Sequence, residues 1–326
     1  MRVLVTGGAG FIGSHLVDGL VQHQVDSLLV LDNLRRGNLR NLDLSRSAVE
    51  FVNGDVRDFA TVQEVTRGID LVYHLAAQSN VLGAATDMEY SFTTNVTGTF
   101  NVLRAACEAG VKRFVFTSSR EVYGDPAFVP VPETAPIAPK NAYGASKAAA
   151  ELYCQIFAAH GFTTRILRLA NVYGPRDFDR VIPIFVDNAT NGRPLTLYGG
   201  KQILDFVWIG RVVDMLMAAG LEDSPGGPLN VGSGYGTRID ELARRVLACT
   251  ASASTIELAT TREIEVTRFV ADVSRAAALG WHTDGDPLAH LPELIEASRK
   301  DSYAKRPVAK YSTAPGATEL PWNGGN

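Results

Sequence analysis

A short apolar run, Arg2 to Thr6, passes directly into Gly7, Gly10 and Gly13, and from Phe11 to Leu20 the apolar residues recur at helical spacing. That order predicts a strand, a tight turn and a helix. Gly7 permits the turn, Gly10 lets a backbone approach a pyrophosphate at the positive end of the helix, and Gly13 allows the helix to pack closely on the strand. The spacing is G-x-x-G-x-x-G rather than G-x-G-x-x-G, and either pattern alone is compatible with a plain glycine turn. Context favours a dinucleotide. A second apolar run, Ser27 to Leu31, ends in Asp32, 19 residues after Gly13 (32 − 13), where a carboxylate can accept hydrogen bonds from an adenosine ribose. Such a carboxylate selects NAD because it repels a 2′-phosphate; Arg35 and Arg36 just behind it keep NADP open.

Strand-like runs at Ala48 to Val52, Leu71 to Leu75, Phe114 to Ser118 and Thr164 to Leu169 alternate with helical stretches. This predicts an α/β chain built on a doubly wound parallel (Rossmann) sheet. After about Asn171 the prolines 175, 183, 194, 225 and 228 punctuate shorter elements, which suggests a smaller α/β substrate-binding lobe. The expected division is 1–170 for the dinucleotide domain, which also receives roughly 205–225. The lobe takes 171–204 and 226–304, and 305–326 is a C-terminal tail. At 326 residues and 46% hydrophobic, the chain can bury a large core. Its net charge of −4 gives no reason to expect nucleic acid. The six histidines are scattered, so no metal is expected. Three well-separated cysteines, and no apolar run near the length of a membrane span, point to a cytoplasmic protein with no membrane contact.

Tyr143 and Lys147 are four residues apart in Asn141-Ala-Tyr143-Gly-Ala-Ser-Lys147, so on a helix they share one face. An ammonium there can favour phenolate and make Tyr143 a base near neutral pH. Ser118 and Ser119 lie at a strand end, where serines also commonly just close turns.

These motifs, with Gly54-Asp55-Val56-Arg57-Asp58, His74-Leu75-Ala76-Ala77, Asn95-Val96-Thr97-Gly98-Thr99, Asn171-Val172-Tyr173-Gly174-Pro175 and Asn230-Val231-Gly232-Ser233-Gly234, resemble the extended short-chain dehydrogenases/reductases that act as nucleotide-sugar epimerases and dehydratases. The resemblance covers most of the chain and implies NAD as cofactor. It implies that Gly7, Gly10, Phe11, Ile12, Gly13, Asp32, Asn33, Asp55, Val56, Leu75, Ala76, Ala77, Asn95, Ser118, Tyr143 and Lys147 hold that cofactor. It further implies a catalytic set in which Tyr143 takes a sugar hydroxyl proton as the adjacent carbon gives hydride to NAD, Ser119 hydrogen-bonds the same oxygen, and Lys147 lowers the Tyr143 pKa and holds the nicotinamide ribose. Ser118, Arg120, Asn171, Arg176, Tyr198 and Arg268 are the implied substrate contacts, with Arg268 on the diphosphate. A UDP-sugar is the expected partner. A homodimer is also expected, through helices near Phe92 to Ala109 and Tyr143 to Ala159, where Phe100, Val102, Leu103, Leu152, Ile156 and Phe157 exceed one core-facing stripe.

Two departures matter. Leu204 stands where the family often has a phosphate-contacting Arg, which leaves Lys201 or Arg176 to substitute. After Ser119 the chain has Arg120-Glu121, whereas 4-epimerases of the family usually have small or neutral residues. Glu121 stands where dehydratases and a nucleotide-glucuronate decarboxylase carry a Glu, but Arg120 cannot be the acid of a dehydratase pair because a guanidinium keeps its proton. A transient 4-keto sugar and 4-epimerisation therefore rank first, with UDP-glucose/galactose or UDP-glucuronate as candidate substrates. Dehydratase or decarboxylase chemistry through Glu121 is second and a non-catalytic NAD-binding protein third.

Overall fold

The computed structural model describes residues 1–222 and 226–300; the expected tail, 305–326, lies outside the described residues. Strand and helix alternate through β1 (Arg2–Thr6), α1 (Phe11–Gln22), β2 (Ser27–Asp32), β3 (Val49–Asn53), α2 (Phe59–Val65), β4 (Leu71–His74), α3 (Val81–Thr86), α4 (Met88–Phe92), α5 (Gly98–Glu108), β5 (Arg113–Ser119), α6 (Ala142–Ala159) and β6 (Thr164–Leu169). The chain continues through β7 (Asn171–Tyr173), α7 (Val181–Thr190), β8 (Leu195–Tyr198), β9 (Ile203–Trp208), α8 (Ile209–Leu221), β10 (Gly227–Val231), β11 (Gly236–Arg238) and α9 (Ile239–Thr250). It closes with β12 (Ile256–Ala259), β13 (Arg268–Phe269), α10 (Ser274–Ala278) and α11 (Leu291–Lys300).

Seven strands form one sheet in the order β10-β6-β5-β4-β1-β2-β3, each pair parallel. Its strands read as continuous apolar runs because both faces are covered. On one face, Leu16, Val17 and Leu20 of α1 pack with Val212, Val213 and Leu216 of α8. On the other, Val102, Leu103 and Ala106 of α5 pack with Ala150 and Cys154 of α6. The strand order turns back at β1 and β4, which opens a crevice at the carboxyl edge of the sheet, the place where open α/β sheets bind ligands.

Two stretches lie elsewhere than the sequence suggested. Gly227–Val231, expected in the smaller lobe, is the seventh strand of the main sheet, paired in parallel with β6. Residues 205–208, expected with the dinucleotide domain, belong to β9 in a separate four-stranded sheet with β7, β11 and β13, so the return to the main sheet begins with α8. A five-residue apolar run has no local signal for which sheet it joins; long-range pairing decides. The lobe's own core gathers Ile182, Phe185 and Val186 of α7 with Leu242 and Val246 of α9 and Leu291 and Leu294 of α11.

A polar network is sealed at the junction of the two halves. Glu151 on α6 and Arg168 on β6 are both buried and make three hydrogen bonds of 2.7, 3.0 and 3.2 Å. The remaining Arg168 nitrogen donates to the Tyr123 hydroxyl at 2.8 Å and the Glu133 carbonyl at 3.0 Å, and Tyr123 donates onward to Asn230 at 2.7 Å. Each charge has its partners, which is the condition for tolerating an ion pair in a dry interior.

Of the apolar residues singled out on α5 and α6, Val102 and Leu103 are core, whereas Phe100, Leu152 and Ile156 are exposed, as are Phe92 and Tyr153 beside them. Phe100 stacks edge-on with Tyr153 and Phe157.

Candidate active site

The glycine loop is built as a cradle. Gly7 holds φ +73°, and a Cβ on it would lie 2.7 Å from the Ala76 backbone nitrogen; a Cβ on Gly13 would collide with the Gly7 carbonyl. No side chain caps α1 at Gly10, so the first-turn N–H groups are available to an anion at the helix's positive end. Asp32 accepts from the backbone nitrogens of Ala9 at 3.0 Å and Leu34 at 2.8 Å while lining the cleft. Burial raises its pKa and those two bonds oppose the rise. A dinucleotide fits this set: its pyrophosphate against the helix end, its ribose against Asp32.

The cleft, about 680 Å³, runs from this loop across the carboxyl edge of the sheet into the smaller lobe. Gly7, Gly10, Phe11, Ile12, Gly13, Asp32, Asn33, Val56, Leu75, Ala76 and Ala77 all line it, as do Ser118, Ser119, Arg120, Glu121, Tyr143, Lys147, Asn171 and Tyr198. Four expected residues do not. Asp55 turns to Arg57 and Asn33 at the rim; burial opposes its ionisation, but those partners pull its pKa down to about 2. Asn95 is a buried clamp that bonds both backbone groups of Gln78 and the Ser146 hydroxyl. Arg176 pairs with Asp18 of α1 at 2.8 Å, away from the cleft. Arg268 is exposed because in β13 it alternates with buried Phe269, and successive strand residues face opposite ways. Lys201 is exposed too and stands outside the lining. Two lobe cations do line the cleft: Arg180, and Arg262, which lies 3.6 Å over the Tyr198 ring and is paired with Glu265 at 3.1 Å.

At the catalytic end, α6 begins at an Asn141 cap whose side chain accepts from Gly144 N at 2.8 Å. Gly144 allows contact with the 3₁₀ turn Arg120–Tyr123, since a Cβ there would strike the Glu121 carbonyl. This close approach carries Tyr143 to Ser119, which hydrogen-bonds it. Burial raises the Tyr143 pKa; the charge that opposes this most is Arg180, at the start of α7, with Arg120 weaker. Lys147, expected to be that charge, instead donates to the Thr117 carbonyl at 2.8 Å, sits 4.7 Å over the Phe116 ring, and is pushed by burial down to about 8. Ser118 also departs from expectation: its hydroxyl bonds Glu151, on the opposite side of β5 from Ser119. Sequence reasoning missed Arg180 because its link to α6 is purely tertiary. Its partner Asp177, at 2.9 Å, is raised by burial to about 6.

Residues 175–180 cross the crevice as a strap. His15 bonds the Pro175 carbonyl at 3.0 Å, Asp179 takes Arg36 in a bidentate pair at 2.7 and 2.7 Å, and Asn80 reaches Asp179 at 3.3 Å. These anchors lie beyond β1, β2 and β4, so the strap passes over the nucleotide crevice. It also engages Arg36, while Arg35 stacks 3.5 Å over Tyr90, so both arginines behind Asp32 have partners within the protein. Asp179→Asn is expected to speed release of NAD at least about tenfold, about 1.4 kcal/mol of retention, as measured by enzymatic trapping of freed cofactor; an unchanged rate would mean the strap does not gate it.

Residues 3–232 match the family model described as the NAD dependent epimerase/dehydratase family. The chain belongs to that family, and NAD is its cofactor. A crystal structure of UDP-glucose 4-epimerase from Thermotoga maritima with UDP-glucose superposes with a TM-score of 0.88 at 31% identity, covering 92% of this chain and 99% of that one. The dTDP-D-glucose 4,6-dehydratase of Mus musculus is 36% identical over 256 residues, 76% of this chain and 72% of its own length. UDP-glucuronic acid decarboxylase 3 of Arabidopsis thaliana is 33% identical over 314 residues, 92% and 89% of the two chains. Members similar to this chain thus include three different reactions, and the residues of its own cleft must choose among them.

Proposed function

We propose that the chain is a nucleotide-sugar 4-epimerase acting through a transient 4-keto sugar. The observation that carries this reading is the state of Glu121. One of its carboxylate oxygens pairs with Arg120 at 2.8 Å and the other accepts from Asn141 at 2.8 Å, so both oxygens already have partners that hold the group in a positioning role. A dehydratase needs that base together with an acid, and Arg120 supplies none. Epimerisation needs only what Ser119 and Tyr143 provide: Tyr143 removes and returns the C4 hydroxyl proton, and Ser119 donates to the same oxygen as charge develops. NAD, held at Gly10, Gly13 and Asp32, would supply the hydride acceptor and donor for C4. Arg262, stacked on Tyr198, suits a nucleotide diphosphate, and a UDP-sugar is supported by the similar epimerase that holds UDP-glucose.

The test is turnover of a panel of UDP, dTDP, GDP and CDP sugars in deuterated water. Unchanged product mass with C5 unlabelled is expected, and Glu121→Gln should slow turnover far less than loss of Tyr143. Deuterium at C5 with an inactive Gln variant, or loss of water or carbon dioxide, would transfer the assignment to the second reading, a dehydratase or decarboxylase, which the mouse and Arabidopsis relatives favour.

The same reading includes a cytoplasmic homodimer. No helix among the described residues is long and apolar enough to cross a membrane, and Cys107, Cys154 and Cys249 are free thiols, as suits a reducing compartment. The exposed Phe92, Phe100, Leu152, Tyr153 and Ile156 on α4, α5 and α6 form the face that a second copy would cover. Sedimentation at micromolar concentration should give a dimer, and Leu152→Glu with Ile156→Glu should give a monomer. A monomeric unmodified protein would remove the dimer from the proposal.

A further inference from the structure

We infer that the hexose of the substrate carries a carboxylate and that Arg120 Nη1 is the donor that receives it. The inference rests on the nucleotide-sugar reading and adds the class of sugar.

Arg120 follows Ser119 directly and lies in the lining of the catalytic end. Its side chain is 11% exposed, its Nη2 is tied to Glu121 at 2.8 Å, and the guanidinium lies 5.8 Å from the Phe269 ring centre. The other terminal nitrogen, Nη1, is buried and has no hydrogen-bond partner among the described residues. A guanidinium cannot shed the proton, so an unmatched buried N–H is destabilising until an acceptor arrives. Glu121 cannot turn to supply it, because its second oxygen is held by Asn141, whose side chain also caps α6.

The missing acceptor is therefore an atom of the ligand. Ser119 and Tyr143 beside Arg120 face the sugar carbon that reacts, whereas Arg262 and Tyr198 stand at the nucleotide's end, so the acceptor belongs to the sugar. A hydroxyl could be met by a neutral amide or serine. A permanent cation whose counter-ion is already shared with Asn141 is best matched by an anion, through a charge-assisted bond about twice as strong as a neutral one. Arg176 also has a buried Nη1 with no partner among the described residues, but it is paired with Asp18 and stands outside the cleft lining, and Arg180 is paired with Asp177.

The experiment is calorimetric titration of the NAD-loaded protein with UDP-glucuronate, UDP-glucose and UDP, repeated on Arg120→Gln and Arg120→Lys. Wild type should bind UDP-glucuronate at least about tenfold tighter than UDP-glucose. That ratio should fall to about one in the Gln variant and survive in part in the Lys variant, which keeps the charge. Equal or weaker binding of UDP-glucuronate by wild type overturns the inference, as does a preference that persists in Arg120→Gln. If UDP and UDP-glucose bind without any preference for the uronate, the carboxylate inference fails alone; if no nucleotide or nucleotide sugar binds, the parent reading fails with it.

Discussion

Tyr143→Phe is expected to lose at least about 10²-fold in turnover while still holding NAD, because positioned general-base catalysis contributes that much or more. The phenol is at the first turn of α6, half-buried against Ser119 in the lining of the cleft. Its pH profile provides a second readout. Burial raises the Tyr143 pKa and Arg180 opposes the rise, so kcat/KM should climb with pH as the phenol ionises. Removing the cation in Arg180→Met makes phenolate less favourable, and that limb should move to higher pH. Near-normal turnover of Tyr143→Phe would place the base elsewhere. A limb unmoved in Arg180→Met would return the tuning role to Lys147.

Arg168→Met should destabilise the fold by about 3–5 kcal/mol, as expected when one partner of a buried pair is removed and the other is left charged in a dry site. Glu151 would lose three hydrogen bonds at once, with only Ser118 remaining. Urea unfolding followed by tryptophan fluorescence measures this, the variant's midpoint falling well below wild type's. Arg168→Met combined with Glu151→Gln should recover much of the loss, since two absent charges cost less than one orphan. A single variant within about 1 kcal/mol of wild type would show that water reaches the pair.

The pair also shows where sequence reading stops. Nothing local marks Arg168, within an apolar strand, or Glu151, eight residues beyond Tyr143, as partners. Their meeting depends on α6 lying across β5 and β6. The same holds for Arg180 and Tyr143, for Arg36 and Asp179, and for the two oxygens of Glu121, each link joining residues far apart in the chain or turning on a side-chain direction. Arg268 stands outside the lining for a related reason. Its type suits phosphate, but the pleat of a two-residue strand turned it outward and Phe269 inward.

The sequence by itself determined what depends on short-range geometry: the turn that only Gly7 can take, the helix end that Gly10 opens, Asp32 at the end of β2, the alternation that makes a parallel sheet, and Tyr143 four residues before Lys147. Spacing along the chain suffices for these because backbone sterics and helical period act over a few residues. Only the tertiary structure decided which charge acts on Tyr143, which partners hold Glu121, which lobe arginines enter the cleft, and which sheet receives Gly227–Val231. Each of these is a contact between elements distant in sequence, set by packing and by the direction of a side chain, and no local period encodes it.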